Sequence, residues 1–324
     1  MKTISVVLGT YNGAKYLREQ LDSILDQSYP PCEIIVQDDG SSDETLDIMK
    51  EYTSRYSIIK FYQNFDNHGM NENYFSAMLK TRGDFIAISD QDDIWVKDKL
   101  KWQIEAIGDH LLCSGISQPF PSEYCDNRLP NYNLLRLLYV GSALPGHTLL
   151  FSRKLLALFP DINHPPKVRA CDVLIAIVGA SYNSIAYVEK TLVLHRMHAD
   201  SFAYFKPTNN KKSFSNILVH ILNDIRLAWE LRPKMKMAYK DMLDFMMEIE
   251  SSEKVFLDAI TMLRYQTGYF LFDFFRLQFF CLKHCEDLFY AKEKKSFFTM
   301  LRGLFFPISC YEYCRILSKR YSSK

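Results

Sequence analysis

Through the first half of the chain, short runs of β-branched residues alternate with stretches whose apolar positions recur every three or four residues. That rhythm builds an α/β fold, a mostly parallel sheet with flanking helices. Strands are predicted at residues 4–8, 33–37, 58–62 and 85–88. Between the first two, Leu17, Leu21, Ile24 and Leu25 recur at helical spacing until Pro30-Pro31 ends the helix. Between the next two, Ser41-Ser42-Asp43-Glu44 offers caps for a helix carrying Leu46, Ile48 and Met49. After Gly146 the pattern predicts a strand at 147–151, helices at 153–158 and 171–178, and two short strands at 184–188 and 192–196. Residues 206–212 are polar, carry a proline and have no period, which marks a linker. Everything beyond is helical in pattern, so the domain reading is a sheet domain at 1–205 and a helical region at 206–324.

The predicted strands end in polar loops: Gly9-Thr10-Tyr11-Asn12-Gly13, Asp38-Asp39-Gly40-Ser41-Ser42 and Ser89-Asp90-Gln91-Asp92-Asp93. Each lies at the carboxyl edge of the sheet, where open α/β folds bind ligands. None matches Gly-x-Gly-x-x-Gly or the Walker loop, which excludes a dinucleotide dehydrogenase and a P-loop NTPase. A sugar-phosphate nucleotidyltransferase would need a Gly-rich, basic first loop, and this one is neither. Ligand capture here falls to carboxylates.

Composition narrows the partners. Lys and Arg total 39 against 38 Asp and Glu, so no global positive field draws the chain to nucleic acid. The apolar run after Met1-Lys2-Thr3 is too short for a signal-peptide core, so the protein is expected to stay in the cytoplasm. Eight cysteines at irregular spacing in such a chain are expected reduced, and Cys281/Cys285 and Cys310/Cys314 to serve packing. In the helical region Asp273 and Arg276 interrupt an otherwise long apolar run, arguing against a transmembrane span. Residues 291–324 hold eight Lys or Arg against two Glu and are rich in Phe and Tyr. That combination suits peripheral contact with the inner face of the plasma membrane. A hairpin packed on the sheet domain, or a homodimer contact, would bury the same apolar faces.

Three carboxylates in the four positions Asp90-Gln91-Asp92-Asp93 repel one another unless a cation neutralises them. Hard oxygen ligands at a strand end suit Mg²⁺ or Mn²⁺ that also grip substrate phosphates. A helix N-cap before Ile94-Trp95 explains the same residues without a ligand. Asp39 with Gly40 suits contact with a nucleobase or ribose, and again a cap with a turn glycine is the alternative.

Taken together these segments resemble the family 2 glycosyltransferases of GT-A fold, specifically the bacterial rhamnosyltransferase-like subgroup. The resemblance rests on residues 4–13, 33–43 and 83–95, the last with a Gln-Asp-Asp-Ile-Trp form of the DxD element, and covers about residues 1–200. It implies metal-dependent, inverting transfer of a sugar, rhamnose or another hexose, in surface polysaccharide biosynthesis. The donor would be a dTDP- or UDP-linked nucleotide sugar and the acceptor a lipid-linked saccharide. Thr10, Tyr11, Asn12 and Asp39 would then contact the nucleoside, Asp90 the ribose and metal, and Asp92 the metal. Asp172, in Ala170-Cys171-Asp172-Val173, matches the family's base, although relatives carry an acidic or His residue before it and an aromatic after it. Gly146 would approach the donor sugar. His195-Arg196-Met197-His198 corresponds to a Tyr-Arg-x-His element, with Arg196 toward phosphate and His198 toward the metal. A catalytically silent nucleotide-sugar-binding or scaffolding protein is the rival from another class.

Overall fold

A computed structural model describes residues 2–64, 69–121, 131–140, 144–166, 169–198, 214–268, 270–289 and 296–309. The linker read at 206–212, the Cys310/Cys314 pair and most of the basic residues after Ala291 lie outside them.

The first compact unit takes in residues 1–126, 144–179 and 184–204. It opens with β1 (Ile4–Thr10), α1 (Ala14–Leu25), β2 (Glu33–Asp38), α2 (Thr45–Arg55), β3 (Ile59–Gln63), α3 (Met70–Leu79) and β4 (Phe85–Ser89). β1 and β2 are buried almost without interruption, the signature of a strand covered on both faces. Next come β5 (Ile94–Trp95), α4 (Lys99–Ala106) and β6 (Leu112–Phe120), and in the second unit α5 (Leu134–Val140). A 3-10 turn at Gly146–Thr148, then β7 (Leu150–Ser152), α6 (Arg153–Ala157), α7 (Cys171–Ser181) and β8 (Ile185–Arg196) complete the series.

One eight-stranded sheet results, in the order β3-β2-β1-β4-β7-β6-β8-β5. It is mixed: parallel through β3-β2-β1-β4 and between β6 and β8, antiparallel at β4-β7, β7-β6 and β8-β5. The core between sheet and helices is built by Val6, Leu8, Leu17, Leu21, Ile34, Val36, Met49 and Trp95.

Three local readings are corrected. Residues 147–149 are not strand; the Thr148 hydroxyl and amide both bond Pro145 O, which winds the segment into a turn. The two strands read at 184–188 and 192–196 are one, because a bulge against Gly115 and Ile116 expels the exposed Glu189 and Lys190 without breaking the pairing. No helix opens directly after Asp93 either; β5 intervenes and α4 begins at Lys99.

The second compact unit comprises residues 127–143, 180–183 and 205–324. With α5 it holds α8 (Phe214–Met247), α9 (Lys254–Thr267), α10 (Phe270–Lys283), α11 (Cys285–Leu288) and α12 (Phe297–Ser309). Its centre is the fully buried Tyr139, whose ring meets Tyr239 and Phe306 edge-on and whose hydroxyl accepts from Gln266 Nε2 at 2.8 Å. Cys281 and Cys285 are free thiols buried in this core. No described helix is long and apolar enough to cross a membrane.

Candidate active site

The first two loops are tied by side chain to backbone. Asn12 sits in the left-handed region at φ 49°, which frees its amide to donate to Ser41 Oγ (2.8 Å) and its Oδ1 to accept from Ser42 N (2.8 Å). Thr10, at the end of β1, is buried and its hydroxyl donates to Asp38 Oδ1 at 2.8 Å, which ties the first loop to the second. Tyr11 is half exposed, with its backbone N–H and C=O both gripped by the Gln91 amide. Asp39 accepts from Asn64 Nδ2 (3.1 Å) and Gly69 N (2.9 Å).

The acidic loop after β4 is held from below by a polar network around Asp93, which is entirely buried. Asp93 Oδ1 accepts from His195 Nδ1 (2.9 Å) and Arg196 N (3.0 Å), and Oδ2 lies 3.1 Å from His147 Nδ1. The two imidazoles stack with centroids 4.9 Å apart. His147 also bonds Asp90 Oδ2 (3.1 Å), and its other nitrogen meets Ser117 Oγ at 2.7 Å. Tyr74, buried, donates to Asp90 Oδ1 (2.8 Å). Burial alone would raise the Asp90 carboxyl; His147 and the Tyr74 hydroxyl outweigh it and hold the group below its ordinary range. Asp92 moves the other way: burial, then the negative charge of Asp90, push it up.

Two donor sets suit a metal ion. Asp92 Oδ2 and His198 Nε2 face each other at 2.7 Å beside Asp90, and the repulsion that raises Asp92 is what a divalent cation would relieve. Asp93, His147 and His195 form a second set whose ligand atoms lie within 4.8 Å of one another; Asp93 Oδ1 is already bonded to His195, and His147 to Asp90. Arg196 is engaged by protein: its Nε donates to Asp92 O (2.9 Å), Nη2 pairs with Glu19, and the guanidinium lies 4.6 Å from the Tyr16 ring centroid.

Asp172 stands in the first turn of α7, where Oδ1 accepts from Val173 N (2.8 Å). Oδ2 reaches across to Gly146 N (3.1 Å). A Cβ on Gly146 would lie 3.0 Å from Asp172 Cβ, so the glycine is explained by this close approach. Desolvation pushes the Asp172 carboxyl up to about 6, against the N–H groups of Val173 and Gly146, with the charge of Asp90 adding to the rise. The 3-10 turn therefore touches both acidic centres: Gly146 holds Asp172, and His147 holds Asp90.

Asp93, His147 and Tyr74 were not given roles by sequence reasoning. The third carboxylate of Asp90-Gln91-Asp92-Asp93 was a signal in kind, but only strand pairing brings His147 and His195 to it.

Four parallel strands, two of them (β2 and β4) leading into carboxylates, extended by a mixed edge, define a GT-A-like α/β domain. Residues 5–155 match the family model "Glycosyl transferase family 2". The chain is 36% identical over 102 residues to a putative teichuronic acid biosynthesis glycosyltransferase, TuaG, of Bacillus subtilis (strain 168), covering 32% of this chain and 40% of that one. It is 38% identical over 105 residues to the dTDP-rhamnosyl transferase RfbG of Shigella flexneri, covering 31% and 36%. The chain thus spans well under half the length of these curated relatives. Among solved structures, S. aureus TarS 1–349 in complex with UDP-GlcNAc superposes with a TM-score of 0.57 at 18% identity, over 99% of this chain and 92% of that one. A mannosyltransferase from Pyrobaculum calidifontis, in complex with GDP-Man and Mn²⁺, gives 0.53 at 18% identity, over 99% and 85%. At such identities the two share the fold.

Proposed function

We propose that this chain is an inverting glycosyltransferase that moves a hexose or deoxyhexose from a dTDP- or UDP-linked donor onto a lipid-linked saccharide during surface polysaccharide synthesis. The observation that carries the reading is the turn at Gly146–Thr148, which joins a carboxylate suited to proton removal to one suited to donor binding. Support comes also from the family match and from the curated relatives named for sugar transfer.

In this reading Asp172 accepts the acceptor hydroxyl's proton as that oxygen attacks the anomeric carbon, one carboxylate sufficing for a single displacement. A value near 6 leaves it ionised at neutral pH yet basic enough for the task. Tyr11, Asn12 and Asp39 contact the nucleoside, and Gly146 presents backbone beside the donor sugar. Asp90, Asp92 and His198 would hold Mg²⁺ or Mn²⁺, which when bound offsets the charge of the departing diphosphate. Arg196, carried on the same strand as His195, keeps Asp92 in place through its carbonyl.

The test is Asp172→Asn with a thermal-shift panel of dTDP, UDP, GDP and their sugars plus Mn²⁺. Turnover falls by at least about a hundredfold while donor binding survives. Unchanged turnover would remove Asp172 from this role.

A further inference from the structure

The helix that carries Asp172 starts on a residue with no capping side chain. Ala170 O accepts the first bond of α7, from Leu174 N at 3.1 Å, so Ala170 stands where a Ser, Thr, Asp or Asn would ordinarily hold free N–H groups of the first turn. Alanine's side chain has no oxygen to offer. The substitute is Asn71, 100 positions from Cys171: its Oδ1 accepts from Cys171 N at 2.9 Å and its Nδ2 donates to Arg169 O at 2.7 Å. One amide thus grips the backbone on both sides of Ala170. Cys171 and Arg169 are buried, which makes the loss of either bond costly.

Asn71 can serve as a fixed point because its own helix is anchored elsewhere. It lies in the first turn of α3, whose start is tied to β2 and the loop after it. Gly69 N donates to Asp39 Oδ2 at 2.9 Å, Asn73 Nδ2 donates to Gln37 O at 2.8 Å, and Asn73 Oδ1 accepts from Asn64 Nδ2 at 3.0 Å. None of these bonds involves α7. The Asp172 carboxylate, for its part, bonds Val173 N, which travels with α7, and Gly146 N, which does not. A slide of the first turn would carry Oδ2 away from Gly146, and Asn71 opposes that slide from the backbone side.

We propose that Asn71 is a positioning residue for Asp172, fixing the first turn of α7 so that the carboxylate is presented beside Gly146. The assignment rests on the reading of Asp172 as the base. It also means that the start of α3 registers the proton acceptor against the loop that carries Asp39.

The experiment is a double-mutant cycle of Asn71→Ala and Asp172→Asn in the full chain. Turnover is followed as nucleoside diphosphate released from dTDP-rhamnose and from UDP-GlcNAc with Mn²⁺, water standing in for the acceptor. Asn71→Ala should lower kcat by about ten- to a hundredfold, the loss that an ångström of misplacement brings, with the donor KM within about twofold of wild type. In the Asp172→Asn background the same change should cost less than about twofold, because the group it positions is already gone. A residue needed only for folding would take the same factor from both backgrounds. If circular dichroism shows that Asn71→Ala does not fold, Asn71→Asp carries the cycle, since its carboxylate keeps the bond from Cys171 N–H and loses only the one to Arg169 O. Turnover equal to wild type in the Asn71 variant, or an equal loss in both backgrounds, overturns the assignment and leaves the transferase reading standing. Turnover that Asp172→Asn leaves unchanged, or none in the wild type from either donor, removes the reading of the base and this assignment with it.

Discussion

Asp172 answers to two demands that oppose each other. In the proposed role of base it must be raised toward neutrality, and the same rise makes it a cost to the fold once it ionises. Turnover at saturating donor should therefore climb with pH along a limb near 6 and level off above it, which a kcat profile from pH 5 to 8 would show. For stability the sign follows from proton binding. The folded chain keeps the Asp172 proton between about pH 4 and 6, where the unfolded chain, with an ordinary carboxyl, has released it. The contribution is present at the acid end and lost as pH rises to about 6. Wild type should thus lose melting temperature relative to Asp172→Asn across that interval and hold a constant difference above it. Asp93 is the complementary case, a buried carboxylate with three partners on two elements, the 3-10 turn and β8. Asp93→Ala should cost about 3–5 kcal/mol in urea unfolding, since it strands His147, His195 and the Arg196 amide. An intact unfolding midpoint would show that the network carries no weight.

Among elements, the β6–β8 pair does the most to build the site, because it carries His195, Arg196 and, just beyond, His198 to the acidic loop. The pairing survives its bulge through close packing at Gly115, where an added Cβ would stand 2.8 Å from Val188 O and 2.6 Å from Leu192 Cδ1. Gly115→Ala should lower stability by about 1–3 kcal/mol, measurable as a shift in urea midpoint at constant m. Sequence pattern located the parallel strands well, because a strand buried on both faces reads as an unbroken apolar run. It missed β6, whose Ser114, Gly115, Ser117 and Gln118 break that run, and α4, whose Lys99 and Gln103 are polar yet wholly buried. Lys99 lies over the Trp95 ring at 3.7 Å and donates to Gln103, partners that no local pattern announces.

For the whole molecule, the coupling of donor, cation and fold gives the most direct measurement. A donor bound with Mn²⁺ at one hundred times its Kd should add about 2.7 kcal/mol to stability, seen as a raised Tm that chelation removes. Asp92→Asn should abolish the metal-dependent part of that gain while nucleotide alone still binds weakly. The same panel ranks the nucleobases, a choice that in the proposed reading rests on contacts around Tyr11, Asn12 and Asp39.

By itself the sequence determined the sheet's parallel half, the three loops at its edge, the carboxylates they carry and the match to a sugar-transferring family. All of these are local, written in periodicity and in runs of neighbouring residues. Tertiary structure alone decided that Asp93 is wholly buried while Asp90 and Asp92 stay half-buried, that Gly146 serves Asp172, and that His147 and His195 stack against one carboxylate. Those contacts join residues from about 25 to more than 100 positions apart, and a chain's pattern records which faces are apolar but not which distant polar groups will meet to satisfy one another.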